Sequence, residues 1–409
     1  MKELIKIFLP QPVINIFYHL PKAVLANFVY DSPSRKLKVI GVTGTDGKTT
    51  TTNMIYQILK ASGKKVSMVS TINAVIGGKS YDTGFHVTSP DSFSVQRFAK
   101  KAAENSDEYL VLEVTSHALD QNRFWGIKFD IGVITNVTHE HLDYHKSFEN
   151  YFATKAKLIK NTKFAVVNQI LKQKIERLLG KTFNGKFLTF GLDKGDFNQR
   201  QLKLKLKIPG EYNIEKALVA LGVAFALEID RKIAQKTLES FKSLTGRMEE
   251  IENQRGVKIV VDFAHTPNAL EQALKTLRSQ TTSGKLIAVF GSAGKRDADK
   301  RGLMGKISGQ FADITVVTAE DPRGELEIIN KQIVEGAKST GGSLGKNLFV
   351  VEDRGKAIDF AINEIARKGD IVGIFGKGHE ASLNIDGKKE IPWSDKEAVK
   401  KALWIPNIN

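Results

Sequence analysis

The chain has 409 residues, 41% of them hydrophobic and 26% charged, with a formal net charge of +16 and no cysteine. This length and composition allow a sizeable buried core and two or three domains. The missing cysteine excludes disulfides, thiolate metal sites and a cysteine nucleophile, so any metal must be held by oxygen or imidazole ligands, which favours a hard ion such as Mg²⁺.

The first thirty residues are apolar, but Pro10, Pro12 and Pro21 interrupt them, and no run reaches the roughly 20 residues needed to span a bilayer. No small-residue cleavage site follows a short apolar core, as a secretory signal requires, so a cytoplasmic protein is expected. Residues 1–36 read as a short arm packed over the first domain. Within it Lys2, Lys6 and Lys22 stand among Leu, Ile and Phe residues, a pattern that also suits weak peripheral contact with anionic membranes.

From Leu37 onward, short Val- and Ile-rich runs alternate with helical patterns, the mark of parallel sheets with crossover helices. Leu37 to Val42, Tyr109 to Val114, Asp130 to Val137 and Phe164 to Asn168 form a first strand series. The lysines that follow, as in Leu202 to Lys207, are spread out rather than gathered into a basic arm, and without a nucleic-acid module they predict no nucleic-acid partner. Two helical stretches, Asn213 to Leu227 and Arg231 to Lys242, then lead to Val257 to Phe263, Leu286 to Phe290, Ile314 to Thr318, Leu348 to Val351 and Ile371 to Phe375. The expected fold is therefore α/β, with a parallel-sheet domain over residues 37–243 of the phosphate-loop ATPase type and a Rossmann-like α/β domain over residues 244–409.

The first strand runs into Thr43-Gly44-Thr45-Asp46-Gly47-Lys48-Thr49-Thr50, followed by an apolar-periodic helix from Thr51 to Leu59. Strand, glycine loop, Lys-Thr and helix make a nucleotide cradle in which backbone N–H groups face the phosphates, Lys48 meets the β and γ oxygens and the Thr49 hydroxyl reaches Mg²⁺. The spacing departs from the usual loop, whose first glycine would fall at Val42. By itself the loop implies only that ATP or GTP binds, and a phosphate-loop switch or binding module without ligase activity is one reading of it.

Glu113 ends a buried strand, at the edge of a parallel sheet where ligand-binding groups gather. It reads either as a carboxylate facing Mg²⁺ beside Lys48 or as a salt-bridge residue. The segment Asn136 to His145 is dense in His and Asp. Zinc competes there, but the spacing lacks a helical His pair enclosing a catalytic Glu, and a phosphate loop already calls for Mg²⁺.

These motifs together resemble the Mur ligase family, closest to its MurE branch. The compact Gly44-Thr-Asp-Gly-Lys-Thr-Thr50 is similar to the family's ATP loop, and the run Asn136 to His145 with Tyr151 to Leu158 is similar to its metal segment. The resemblance implies ATP contacts from Gly44, Thr45, Asp46, Gly47, Lys48, Thr49, Thr50, Asn136, Arg247 and His265. It further implies Mg²⁺ held by Thr49, Glu113, His141 and Lys155, with Lys155 carbamylated by CO₂; Thr154 stands where the family usually has alanine. Thr88, Ser89, Thr115, Ser116, Gln121 and Arg123 resemble muramyl-peptide contacts, and Arg296, Asp321, Arg323, Gly376 and Glu380 resemble the amino-acid pocket.

Other positions depart from the family. Lys216 in Asn213-Ile-Glu-Lys216 replaces a second asparagine near the adenine, Lys295 replaces an aspartate, and residues 1–36 leave no room for the family's full nucleotide-sugar domain before the loop. The resemblance implies a monomeric enzyme that joins a muramyl-peptide carboxylate to a free amino acid through an acyl phosphate, with Lys48, Lys155 and Arg247 as catalytic groups, in peptidoglycan synthesis. Arg323 implies meso-diaminopimelate, although an ion pair with Glu325 or another acid is the alternative use of that side chain. A folylpolyglutamate synthetase-like or other Mur step is the neighbouring reading.

Overall fold

The computed structural model describes residues 10–83 and 89–404, and within them the chain divides into two compact units. The first contains residues up to Lys207 together with Glu211–Phe241; the second contains Ile208–Gly210 and everything from Lys242 onward. No helix among the described residues is long and apolar enough to cross a membrane.

The first unit is built on a nine-stranded sheet. Its strands are β1 (Lys38–Thr43), β2 (Val66–Val69), β3 (Ala74–Ile76), β4 (Lys79–Tyr81), β5 (Tyr109–Glu113), β6 (Phe129–Ile134), β7 (Phe164–Asn168), β8 (Lys186–Gly191) and β9 (Phe197–Asn198). They lie in the order β4-β3-β2-β5-β1-β6-β7-β8-β9. Pairing is parallel from β2 to β9, and β3 and β4 add an antiparallel edge. The central strands are buried throughout, so they read as continuous apolar runs rather than alternating ones. β5 and β6 flank β1, so the strand ends at Thr43, Glu113 and Ile134 lie side by side, with Val42 opposite Glu113 and Thr43 opposite Ile134. In a parallel sheet this edge is where ligands bind.

The arm is part of this unit. Asn15 Nδ2 donates to Asp120 Oδ2 at 2.7 Å, and Lys22 pairs with Asp91 at 3.4 Å. Its outward face leaves Phe17, Leu25 and Phe28 exposed.

The second unit holds a six-stranded sheet made of β10 (Glu249–Ile251), β11 (Lys258–Asp262), β12 (Leu286–Phe290), β13 (Ile314–Val317), β14 (Leu348–Val350) and β15 (Ile371–Phe375). The order is β10-β11-β15-β12-β13-β14, parallel except for the β10 edge. Helices 267–280, 299–311 and 326–338 connect the strands, and Ile259, Val261, Ile287, Val289, Val372 and Ile374 fill its core. Under the carboxyl edge the fully buried Arg354 forks onto Asp395 through Nε and Nη2, both at 2.7 Å, and also donates to the Ala319 and Phe375 carbonyls. A buried charge is tolerated only when paired and hydrogen-bonded in this way.

Candidate active site

The phosphate loop joins β1 to the helix Lys48–Ala61, whose first residue follows Gly47 at φ 82°. A side chain there would be strained, and a glycine cap leaves the first-turn N–H groups open to an anion. Gly44 permits a close approach of a different kind, because a Cβ at that position would collide with the Thr135 hydroxyl. The loop is clamped from β6: Asn136 Oδ1 accepts from Asp46 N at 2.8 Å, Thr135 Oγ1 donates to Asp46 O at 2.7 Å and Asn136 O accepts from Thr45 N at 2.9 Å. Lys48 curls over the loop and donates to Gly44 O at 3.1 Å and Thr45 O at 2.9 Å. Asn136 therefore holds the loop's shape.

Two oxygen donors meet beside the loop. Thr49 Oγ1 donates to Glu113 Oε1 at 3.0 Å, while Glu113 Oε2 accepts from Thr71 N at 2.8 Å. Both side chains are buried. A hydroxyl and a carboxylate at a phosphate loop are hard oxygen ligands suited to Mg²⁺, which needs only one or two carboxylates when the phosphates supply the rest. Of the residues expected to join them, His141 sits in the left-handed region at φ 58° and packs its ring on His117 and Tyr151, with centroids 4.8 and 6.2 Å apart. Of the three histidines in the segment, His139 stacks on Phe148 with centroids 4.9 Å apart, while His141 and His145 pack against Tyr151, and no group of three or more His, Asp or Glu among the described residues is arranged to hold a metal. This geometry does not favour the zinc alternative, which needs three or four converging protein ligands.

Lys155 comes from the helix Phe148–Ala156, which starts where Ser147 Oγ accepts from Asn150 N. Its ammonium donates to Gly44 O at 2.6 Å and lies 4.4 Å from the centre of the Tyr151 ring. The side chain is only 1% exposed, and among the described residues it forms no ion pair. Burial, reinforced by Lys48, holds its pKa well below the usual lysine range, which favours the neutral amine. Tyr151, one turn earlier on the helix, also meets Thr45 Oγ1 at 3.1 Å. Thr45, Tyr151, Gly44 and Lys155 thus form one contact chain.

The substrate-side residues gather at the end of β5. Ser89 Oγ accepts from Thr115 N at 3.0 Å and donates to Glu113 O at 3.2 Å. Arg123 donates through Nη1 to Ser89 O at 2.8 Å and through Nε and Nη2 to Gln121 Oε1 at 2.9 and 2.7 Å. Thr115 caps the short helix Ser116–Asp120, so its hydroxyl has a local structural use. Ser116 Oγ meets His145 Nε2 at 3.0 Å, and burial lowers the His145 pKa to about 4. His145 is an addition to the expected set: its partner is 29 positions away, and the dense His run was the one sign of it. Thr88 lies outside the described residues.

The second unit carries its own cluster. Arg247 lies over the Phe263 ring at 4.4 Å, and His265 Nδ1 is 2.8 Å from Phe263 O. Asp262 fixes both turns by accepting from Met248 N at 2.7 Å and Ala264 N at 2.8 Å. Burial, with Arg247 adding to it, lowers the His379 pKa to about 3. Asp321 Oδ1 accepts from Lys377 Nζ at 3.1 Å and Asn384 N at 2.9 Å, and Oδ2 faces Arg323 Nη2 at 3.6 Å. Lys377 also pairs with Glu380 at 2.5 Å. Glu325 pairs with Arg301 at 2.8 Å, so Arg323 takes Asp321 as its acid instead.

Gly376 abuts Glu320, whose Cγ would lie 3.0 Å from an added Cβ. Asp321, Arg323 and Glu380 are therefore joined around Lys377, and Gly376 lies against the neighbouring Glu320. Arg296 is exposed, and among the described residues it makes no ion pair with that network. Glu320, which sequence reasoning missed, is buried with Oε2 lacking a hydrogen-bond partner. Desolvation raises its pKa to about 7 against the opposing pull of Lys300, Lys377 and Arg354.

Comparison with known proteins places these features in a family. Residues 42–224 match the Mur ligase middle domain and residues 246–378 match the Mur ligase glutamate ligase domain. The chain is 39% identical to UDP-N-acetylmuramoyl-L-alanyl-D-glutamate--2,6-diaminopimelate ligase 1 of Clostridium acetobutylicum over 400 residues, covering 92% of this chain and 80% of the relative. A solved structure of a UDP-N-acetylmuramoyl-L-alanyl-D-glutamate--2,6-diaminopimelate ligase aligns at TM-score 0.59 and 28% identity, covering 90% of this chain and 78% of that one. The MurF ligase of Thermotoga maritima in complex with ADP shares the fold at TM-score 0.66 and 19% identity, covering 93% of this chain and 82% of that one. With both domains matched in order and the phosphate loop in place, the chain belongs to the Mur ligase family.

Proposed function

We propose that this protein is an ATP-dependent amide ligase of the MurE kind, adding meso-diaminopimelate to the terminal carboxylate of a muramyl dipeptide in peptidoglycan synthesis. The observation that carries the reading is the convergence of Thr49, Glu113 and Lys155 on one phosphate loop. The γ-phosphoryl group of ATP passes to the donor carboxylate, the amine of the amino acid attacks the acyl phosphate carbon, and phosphate leaves. Such transfers depend mainly on positioning and charge neutralisation.

In this reading Lys48 and the loop N–H groups hold the β- and γ-phosphates, Asn136 keeps the loop in shape and Arg247 provides a further cation. Thr49, Glu113, His141 and a carbamate on Lys155 would hold Mg²⁺. The ion supplies charge neutralisation on the transferring phosphoryl group. Carbamylation replaces a buried cation with an anion: the Lys155 amine forms a bond to the carbon of CO₂ and loses a proton. The burial of Lys155 and the nearness of Lys48, which together outweigh the pull of Asp46 and Glu140 and favour the neutral amine, support this assignment. Ser89, Thr115, Ser116, Gln121 and Arg123 would receive the peptide, an arginine and hydroxyls suiting its carboxylates and carbonyls.

Arg323 and Asp321 support meso-diaminopimelate as the amino acid. Its far end carries one carboxylate and one ammonium, which match a guanidinium beside an acid. The exposed Phe17, Leu25 and Phe28 of the arm suit weak contact with an anionic membrane. The acyl-phosphate route is tested with a donor labelled with ¹⁸O in its terminal carboxylate. One label should appear in the released phosphate, and unlabelled phosphate would refute the route.

A further inference from the structure

The turn that carries Gln121 and Arg123 runs from Asp120 to Gly126, and the arm grips it at both ends. The arm is helical over residues 11–29. At one end Asn15 Nδ2 donates to Asp120 Oδ2 at 2.7 Å, and Gln11 Nε2 steadies Asn15 by donating to its Oδ1 at 2.9 Å. At the other end Ser34 Oγ donates to Gly126 O at 3.1 Å. Gly126 has φ 82°, and a Cβ there would collide with the Asn27 amide, so glycine is what lets the arm come this close. Asn15 is only 6% exposed, and a buried amide is tolerated where its hydrogen bonds are made.

The contact at Asp120 is directional. A carboxylate accepts and cannot donate, so Tyr144, 2.9 Å from the same Asp120 oxygen, gives its O–H to it. The phenol oxygen is left to accept, and Gln121 turns Nε2 toward it at 3.5 Å. That orientation aims Gln121 Oε1 at Arg123, where it accepts from Nε at 2.9 Å and from Nη2 at 2.7 Å. Arg123 uses a third N–H on Ser89 O at 2.8 Å. A guanidinium has five N–H groups, so two remain for a ligand. Without Asn15, Asp120 can turn toward Lys157, which already faces its Oδ1 at 3.5 Å. Tyr144 then loses its acceptor, and the Gln121 amide is no longer oriented.

We propose that Asn15 is a positioning residue for the muramyl-peptide donor, holding Asp120 so that Gln121 and Arg123 present the remaining guanidinium N–H groups to the donor's carboxylate. The proposal rests on the reading of Arg123 as a donor contact and adds the arm to that site.

The test is steady-state kinetics of Asn15→Leu, Asp120→Ala, the double variant and Arg123→Ala, with ADP affinity measured by calorimetry. Asn15→Leu fills the same space without the N–H and should raise KM for the muramyl dipeptide about tenfold, the scale of one lost hydrogen bond to a charged group. Its kcat, KM for ATP and ADP affinity should match wild type. Asp120→Ala should raise the donor KM at least as much, and the double variant should be no worse than Asp120→Ala alone. An unchanged donor KM in Asn15→Leu overturns the assignment, as does a loss that adds in full to that of Asp120→Ala. Equal losses in donor KM, ATP KM and ADP affinity mark a general folding defect and also overturn it. A wild-type donor KM in Arg123→Ala overturns the donor-site reading itself.

Discussion

The Lys155 ammonium lies 2.6 Å from the Gly44 carbonyl oxygen, joining a helix of the first unit to the opening turn of the phosphate loop. A lysine this deeply buried is costly as a cation, and the pull of Asp46 and Glu140 does not outweigh burial and the neighbouring Lys48. Its setting suits a neutral amine, and a neutral amine is the form that reacts with CO₂.

Lys155→Ala is therefore expected to lose roughly a hundredfold or more in kcat, the scale seen when a preorganised charge is removed from a transition state. Bicarbonate should not restore it, because the alanine variant has no amine to modify. Formate or acetate, entering the vacated space as a small anion, should restore part of the rate. Full activity without added acid would refute the role given to Lys155.

Arg323→Ala should reduce discrimination between meso-diaminopimelate and L-lysine by tens to thousands of fold, corresponding to about 2 to 5 kcal/mol for a desolvated charge pair. Arg323 is anchored through its backbone, with N donating to Asn384 O at 3.1 Å, so the loop should survive loss of the side chain. The check is kcat/KM for both amino acids. A ratio equal to wild type would show that the guanidinium serves only its contact with Asp321.

Glu320 makes stability depend on pH in a calculable direction. Its carboxyl has a pKa of about 7 in the native protein, above its ordinary 4.5. The native state thus keeps a proton that the unfolded chain releases. Its contribution is fully present below about 4.5 and is lost as pH rises through 7, a swing of roughly 3 kcal/mol. Glu320→Gln mimics the protonated acid without titrating. Urea unfolding should show the variant gaining on wild type between about pH 5 and pH 8, and a difference that stays constant with pH would contradict the assignment.

How much of this was legible beforehand depended on whether the signal was local. The phosphate loop was, because strand, glycines, Lys48 and helix follow one another directly. So were the central strands, whose apolar runs reflect burial on both faces. Strands β2 to β4, β8, β9 and β10 were missed because they are short or carry polar residues, as in Lys79–Tyr81. Asn136 was expected to contact ATP, but its hydrogen bond to Asp46 depends on β1 and β6 lying side by side. Asn15 on Asp120 and His145 on Ser116 are likewise tertiary contacts. Glu320 became noticeable only once Arg354, Lys300 and Lys377 were seen around it, since its neighbours in sequence do not reveal its burial.

The arm offers a separate test. Phe17 is 78% exposed and Phe28 71%, and burying both in a lipid interface would supply a few kcal/mol. Replacing both with serine should reduce co-sedimentation with anionic vesicles by roughly tenfold, while wild-type binding should weaken as salt rises. Identical sedimentation of wild type and variant would refute the contact.

If the phosphate loop serves amide bond formation, phosphate release from ATP by the purified protein will depend on its two co-substrates, added singly and together. Release is expected only when a muramyl dipeptide and meso-diaminopimelate are both present, with one phosphate formed per tripeptide and much slower release when L-lysine replaces the diamino acid. Rapid release that needs neither co-substrate, or equal or faster turnover with L-lysine, would contradict that role.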